Sequence, residues 1–299
     1  MTRDLVAILP DPPAAALPPS ATAVSRSGLC AVLAPAAPRL GRASTRRAVA
    51  RQALARQRVL EALMPCGPVL PAAPGTRLSA HAAGALLAGH ASGLSARLRA
   101  LDGVWQYQTV LGWDEPQVLR RFADAPELAP VLAGGRVSGP ALARAIGRLS
   151  ERLAGEAAGA LSACARDVVA LPRDGGTLLN VALLLETGRE SALDAVLGRI
   201  DRIWTEGFRI RLIGPGPAMS FAMLSVREVT SAEAVAAAGR LGLPGLEPRM
   251  PLPELRRAAL RSGTAAPAEI EAACATLAAL DAAPPGEPAF VVDVRRDGG

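Results

Sequence analysis

The stretch Val104–Trp113, with the sequence VWQYQTVLGW, limits the possible folds of this chain more than any other. Its apolar residues alternate along the chain, which is the period of a half-buried β-strand. Five side chains would share one face of that strand: Trp105, Tyr107, Thr109, Leu111 and Trp113. Three of the eight aromatic residues of the chain lie on this face. Because such a face needs a cover, we expect a sheet packed under helices.

The rest of the sequence switches between strand and helix periods. Strands are also predicted at residues 4–9, 28–34, 178–186, 208–213 and 289–294. Helices are predicted at 45–64, 79–101 (with Ser79 as its cap), 140–165, 190–204, 231–242, 253–262 and 267–281. This order predicts an α+β fold with two domains, at residues 1–113 and 114–226. We expect each domain to be a small, mostly antiparallel, ferredoxin-like sheet covered by helices. Residues 227–299 are expected to form a mainly helical extension with a terminal strand.

Apolar residues at regular spacing predict which side of each element is buried. In the helix at 140–165 they are Leu142, Ile146, Leu149 and Leu153. In the helix at 45–64 they are Val49, Ala53, Val59, Leu60 and Met64, with Arg47, Arg51 and Arg58 on the opposite, solvated side. In the helix at 190–204 they are Leu193, Val196, Leu197, Ile200, Ile203 and Trp204. In the strand at 208–213, Phe208, Ile210 and Leu212 are expected to point inwards.

Charge and apolar run length weigh against two classes of partner. The formal net charge is only +6, and the arginines are mostly interleaved with carboxylates, so nucleic-acid binding is not expected. The apolar run at residues 5–9 is shorter than the apolar part of a signal peptide, and no run approaches a membrane span. The sequence therefore predicts a cytoplasmic protein without a membrane span.

No recognisable catalytic, cofactor-binding or metal-binding pattern occurs in the sequence. His81 and His90 are nine residues apart on one predicted helix and so face opposite sides. The four cysteines form no CxxC pair, which predicts free thiols without a disulfide or metal. Residues 214–217 (GPGP) follow a strand, but prolines lack the N–H groups of a phosphate cradle, so a structural turn is expected. The pairs Asp114-Glu115 and Glu151 with Glu156 have surface-type spacing. We therefore predict no catalytic residue, cofactor or metal ligand.

Five segments in a fixed order resemble the GvpF/GvpL family of gas vesicle accessory proteins, over residues 4–226. They are LVAILP at 5–10, VLPAAPGT at 69–76, GVWQY at 103–107, LNVALLL at 179–185 and IGPGPAMSF at 213–221. The family forms of four of them are vlPlrFGT, G-x-x-E-aromatic, lNaaflv and tGPwPPYsF. The chain departs from these at Ala73-Pro74, Gln106, Gly216 and Met219, and so resembles a divergent member.

This resemblance implies a non-enzymatic cytoplasmic accessory protein associated with gas vesicles. It implies binding to the hydrophobic shell protein and to other accessory proteins, which would nucleate or chaperone gas vesicle assembly. It does not indicate the residues that bind these partners. Two alternatives remain: an enzyme or small-molecule-sensing protein on a ferredoxin-like α+β scaffold, and a basic protein associated with nucleic acid.

Overall fold

The computed structural model describes residues 1–11, 17–38, 45–134, 138–203, 207–243, 245, 250–263 and 265–296. Helices and antiparallel sheets make up these residues, which confirms the α+β class. The chain divides into two compact units. Unit 1 contains residues 1–102 and 222–295, and unit 2 contains residues 103–221 and 296–299.

The main sheet of unit 1 is built around its first strand. Its strands are β1 (Arg3–Pro10), β2 (Thr22–Arg26), β3 (Leu29–Ala34), β4 (Leu70–Pro71) and β5 (Arg77–Leu78). The order is β2-β3-β1-β4, and β5 also pairs with β1; every pairing is antiparallel. β1 and β3 are almost entirely buried, as their continuous apolar sequences require. β2 lies in a stretch where the sequence predicts only a connection.

Two long helices accompany this sheet. α2 (Ala80–Ala100) begins as predicted, with the Ser79 hydroxyl accepting from the Ala82 N–H at 3.1 Å. α1 (Arg46–Leu63) has the expected bounds, but its apolar side is buried only near its end, at Leu60 and Leu63. Val49 and Ala53 are exposed, so the prediction of a fully buried side is wrong there. The first turns of α1 border an open cleft instead of the core.

Unit 2 contains one four-stranded antiparallel sheet. Its strands are β6 (Val104–Trp113), β7 (Asp167–Ala170), β8 (Thr177–Glu186) and β9 (Phe208–Gly216), in the order β7-β8-β6-β9. The helices α3 (Glu115–Arg121), α4 (Ala129–Leu132) and α5 (Gly139–Ser162) lie between β6 and β7, and α6 (Glu190–Ile203) lies between β8 and β9. Chain order is therefore that of the β-α-β-β-α-β motif. The main sheet of unit 1 does not follow this order, and a ferredoxin-like fold for both domains stays a prediction.

The aromatic face of β6 forms part of the core of unit 2, as its alternation predicts. Tyr107 and Leu111 are buried in this core, and Trp105 and Trp113 pack against it. Among the side chains predicted to point inwards from the helices, Leu149, Leu153, Leu193, Val196 and Ile200 are buried, and Leu142, Ile146 and Leu197 are partly buried. Trp204 lies outside the described residues.

Leu212 is the exception on the strands of unit 2. It was expected to point inwards, but it is exposed. β9 is an edge strand, and its second half from Arg211 to Pro215 is exposed at every residue. A period-2 pattern cannot distinguish a strand with neighbours on both sides from one at the edge.

The C-terminal segment belongs to unit 1. Its elements are β10 (Met223–Glu228), α7 (Ser231–Arg240), α8 (Leu252–Ser262), α9 (Pro267–Ala282) and β11 (Phe290–Arg295). β10 and β11 form a two-stranded sheet, and Leu224 forms a bridge with Ala72. A Cβ added at Gly89 of α2 would lie 3.0 Å from the Ala282 carbonyl oxygen, so α9 needs a glycine there to approach this closely.

The limits of these two units differ from the expected domain limits at residues 113/114 and 226/227. β6 pairs on both sides with strands of unit 2, and β10 and β11 pair with each other in unit 1. The pairing partners are distant in sequence, so local composition cannot reveal them. As limits of independently folding parts, 1–113, 114–226 and 227–299 stay predictions.

A substitution at Thr109 tests whether the core of unit 2 contains a buried hydroxyl without a hydrogen-bond partner. Its side chain is fully buried, and Oγ1 has no hydrogen-bond partner among the described residues. Thr109→Val replaces that hydroxyl by a methyl group of similar size. We expect it to raise the free energy of unfolding by about 1 kcal/mol, because an unsatisfied buried hydroxyl is removed. Urea denaturation measures this change.

Thr276→Val is the matched control for Thr109→Val. Thr276 is also buried, but its hydroxyl donates to the Ala272 carbonyl oxygen at 2.9 Å. Its replacement should lower the free energy of unfolding by about 1 kcal/mol. A loss of stability in Thr109→Val as well would contradict the assignment of an unsatisfied hydroxyl.

Candidate functional site

An open cleft of about 660 Å³ lies in unit 1, beside the first turns of α1. Its walls are mainly aliphatic or proline side chains, including Val6, Ala34, Pro35, Val49, Val59 and Pro74. Val49 is 47% exposed, so this valine faces solvent although it lies on the apolar side of its helix. A cleft of this size is within the range that holds a small molecule or a few side chains of a partner.

Arg56 extends from α1 to the floor of this cleft. Its guanidinium donates to the carbonyl oxygens of Leu5 at 3.3 Å, Val6 at 3.0 Å and Ala72. The Leu5 and Val6 carbonyls lie where β1 is irregular, since its register against β3 shifts between Leu5 and Ala7, and Ala72 directly follows β4. Burial lowers the pKa of Arg56, and the negative charge of Asp4 opposes that shift. Arg56 thus satisfies carbonyl groups at an irregular part of the sheet.

Asp4 forms the second polar group of the cleft. Its carboxylate accepts from the Ala37 N–H at 2.8 Å and from Arg77 Nε at 3.1 Å. Arg77 also donates to the Ala37 carbonyl oxygen. The Asp4 and Arg77 side chains are 11% and 25% exposed. Asp4 and Arg77 are therefore paired with each other and with the backbone, and the exposed lining of the cleft is mostly apolar.

Sequence reasoning missed Arg56, although a signal exists. Arg56 follows Val49 by seven residues and precedes Leu60 by four, so it lies on the apolar side of the helix. An arginine at that position needs acceptors within the fold. The acceptors are backbone groups of another segment, and a sequence pattern does not show them.

Three of the five segments that resemble the family, at 103–107, 179–185 and 213–221, lie in unit 2. Gln106 Oε1 accepts from the Ser220 N–H at 2.8 Å, and Gln106 Nε2 donates to the Ser220 hydroxyl at 3.3 Å. The family has Glu at this position, and Gln106 keeps its acceptor oxygen. Gly214 has φ 134°, and a Cβ there would lie 2.8 Å from the Gln106 carbonyl oxygen. The GPGP segment therefore packs closely against the start of β6.

Asn180 has a similar positioning role in the LNVALLL segment. Its Oδ1 accepts from Gln108 Nε2 at 2.8 Å, and its Nδ2 donates to the Pro172 carbonyl oxygen at 2.7 Å. It thus connects β8 to β6 and to the segment that follows β7. Gln106, Gly214 and Asn180 all stabilise the backbone of unit 2.

The remaining candidates do not converge on one site. His81 is exposed, whereas His90 is half-buried with Nε2 2.9 Å from the Phe290 carbonyl oxygen. All four cysteines are free thiols, and burial raises the pKa of Cys30, Cys164 and Cys274. Asp114 caps α3, and Glu156 pairs with Arg152.

Within the described ranges, no group of three or more potential ligands could hold a metal ion. In the same ranges no helix has the length and apolar content to span a membrane.

Comparison with known proteins agrees with the ordered segments. The profile of a family described as "Gas vesicle synthesis protein GvpL/GvpF" matches residues 14–223. The chain belongs to this family. Among curated proteins, none matches the chain significantly.

Two crystal structures of family members have a similar fold. GvpF from Anabaena sp. PCC7120 superposes with a TM-score of 0.55 at 19% identity, covering 72% of this chain and 95% of that protein. GvpF from Microcystis aeruginosa superposes with a TM-score of 0.53 at 18% identity, covering 71% of this chain and 94% of that protein. These identities support a common fold and carry no residue roles.

Membership of the family gives the departure at Ala73-Pro74 a structural meaning. Pro74 lines the cleft, at a position where the family segment has Phe. Proline is smaller than phenylalanine, so this position leaves more open space than a phenylalanine would.

The hydrogen bonds of Arg56 to the backbone predict that this side chain contributes to the stability of the protein. Arg56→Met keeps much of the aliphatic length but loses the donors to three carbonyl groups. We expect the free energy of unfolding to fall by about 2–3 kcal/mol. Arg58→Met on the same helix removes an exposed guanidinium and should change it by less than about 0.5 kcal/mol. Equal effects of the two substitutions in urea denaturation would contradict the role assigned to Arg56.

The lowered pKa of His90 predicts how the free energy of unfolding depends on pH. Burial lowers the pKa of His90 in the folded protein, and its bond to Phe290 opposes this shift. As pH falls below about 6.5, the unfolded chain therefore binds a proton before the folded protein does. We expect stability to be full above that pH and to decrease below it. Urea denaturation between pH 7.5 and pH 5 should show a smaller decrease in His90→Gln, whose amide can donate but does not titrate.

Proposed function

We propose that this member of the GvpL/GvpF family is a non-enzymatic assembly factor for gas vesicles. It binds the hydrophobic shell protein or other accessory proteins in the cytoplasm and helps to nucleate or chaperone their assembly. The family match over residues 14–223 is the observation that carries this proposal.

The character of the cleft supports binding more than catalysis. Catalysis requires titratable groups that converge on a substrate with free donors or acceptors. In this cleft Asp4 is paired with Arg77 and Arg56 is bonded to the backbone, and the other polar side chains, Ser20 and Gln52, do not titrate. An apolar wall suits the side chains of a hydrophobic partner. A small-molecule-sensing protein, the alternative, would need a cleft with more free polar groups to fix the orientation of its ligand.

Gene deletion tests the assembly role. In a host that forms gas vesicles, deletion of this gene should abolish or reduce the vesicles and leave synthesis of the shell protein intact. Expression of the wild-type chain should restore them. Normal vesicles in the deletion strain would refute the proposal.

Co-purification tests the partner. A tagged chain should retain the shell protein or another accessory protein at 0.15 M and at 0.5 M salt, because apolar contacts persist where the screening length is only about 4–5 Å. Complete loss of the complex at 0.5 M salt would show that charge, and not apolar contact, holds it. Chemical change of a metabolite incubated with the purified chain would contradict the non-enzymatic role.

A further inference from the structure

The net positive charge of this chain lies in the segment that lines the cleft, because that segment has few carboxylates. Residues 1–77, which contain the whole lining, have ten arginines and three carboxylates, a formal charge of +7. This leaves 23 of the 33 basic and 24 of the 27 acidic residues for the remainder of the chain. No acidic residue occurs between Asp11 and Glu61. The positive charge of the protein is therefore located in its N-terminal quarter.

The exposed arginines of α1 have no partner carboxylate among the described residues. Arg46, Arg47, Arg51 and Arg58 are exposed and form no ion pair with any residue that the structure describes. Elsewhere Arg26, Arg152, Arg227 and Arg256 each pair with a glutamate, whereas exposed arginines such as Arg97 and Arg144 form no ion pair with a described residue either. α1 itself carries five arginines and one carboxylate, Glu61, so its net charge is positive.

Two of the α1 residues that line the cleft and three of its exposed arginines lie on different sides of the helix. Val49 and Arg56 line the cleft, whereas Arg47, Arg51 and Arg58 lie about 140–180° away from them around the helix axis. These three arginines do not line the cleft. They can act on an approaching partner through long-range attraction, which speeds association with an acidic protein. The apolar walls would then supply the contact that keeps it bound.

We infer that the cleft of unit 1 binds an apolar peptide segment flanked by acidic residues on a partner protein. The inference rests on the proposed function and names the docking surface and the chemistry of the segment. The occupant is mainly apolar because ten of the sixteen described lining residues are Ala, Val or Pro, Asp4 and Arg77 are already paired, and Arg56 is bonded to the backbone. Ser20 and Gln52 are the other polar side chains of this lining. It carries acidic flanks because α1 has five arginines and one carboxylate, Glu61, and its exposed arginines form no ion pair with a described residue.

A pair of labelled peptides tests the chemistry directly. Both have the same short Leu/Val/Ala centre; one has glutamates at both ends and the other has lysines. Fluorescence anisotropy at low salt should show the glutamate peptide binding at least about tenfold more tightly. Equal or tighter binding of the lysine peptide would overturn the inference.

Two substitutions on α1 test the location. Val49→Trp places an indole at the mouth of the cleft and should weaken binding of the glutamate peptide more than about tenfold. Leu54→Trp is the matched control, since Leu54 is 59% exposed on the same helix and does not line the cleft. It should change affinity less than about twofold. Equal effects of these two variants, with unchanged thermal melting, would place the binding site elsewhere.

A third variant tests whether the arginines of α1 act on the rate of association while the apolar cleft holds the bound partner. Arg47→Gln, Arg51→Gln and Arg58→Gln combined should slow association at 0.05 M salt by about five- to tenfold and have little effect at 0.5 M salt. A loss that persists at 0.5 M would contradict long-range attraction. Binding of phosphatidylglycerol vesicles through Val49, or a dimer that Val49→Trp disrupts, would replace the proposed occupant by a membrane or a second copy.

The deletion strain separates this inference from the proposed function. If Leu54→Trp restores gas vesicles and Val49→Trp does not, the cleft is used in assembly. If both restore them, the inference fails and the assembly role stands. If the deletion strain itself makes normal vesicles, the assembly role fails whatever the peptides show.

Discussion

The bonds from the Arg56 guanidinium to three backbone carbonyls hold together the part of unit 1 on which the cleft depends. β1 pairs with β4 through Ala7 and Ile8 and with β5 through Arg3 and Asp4. Between these pairings the Val6 carbonyl oxygen accepts from the Ala72 N–H at 2.9 Å, and Arg56 adds donors to the Leu5, Val6 and Ala72 carbonyls. Because Arg56 reaches them from α1, the same side chain ties the helix to the sheet. The cleft is the space that remains where α1 contacts the sheet through Arg56 and its last turns.

The family segments of unit 2 act in a comparable way. Gln106 bonds to Ser220, Asn180 bonds to Gln108 and Pro172, and Gly214 allows close approach to β6. Each of these contacts joins chain segments that are far apart in sequence. We attribute the persistence of these segments in a divergent chain to the fold. The apolar cleft of unit 1 combines Val6 and Pro74, from two other family segments, with residues of α1 such as Val49 and Val59, which lie outside all five segments.

Sequence alone predicted the elements that local physics determines. The period of β6, the Ser79 cap of α2 and the apolar side of α5 are each set by neighbours within a few residues. A local pattern is less informative where distant partners decide. Leu212 is exposed although the period-2 pattern predicts that it points inwards. The C-terminal segment belongs to unit 1, where β10 pairs with β11 and α9 lies close to α2. Neither property is encoded in a local period.

The composition of the chain explains why the structural role of Arg56 is difficult to recognise from the sequence. All 33 basic residues are arginines, so the residue type does not distinguish a structural guanidinium from a solvated one. Position does, since Arg56 lies on the apolar side of α1 and Arg58 on the solvated side. A lysine could not replace Arg56, because its ammonium is compact and lacks the planar fork that reaches several carbonyls. Arginine on the apolar side of a helix is therefore a signal of backbone acceptors nearby, even in a chain where arginine is common.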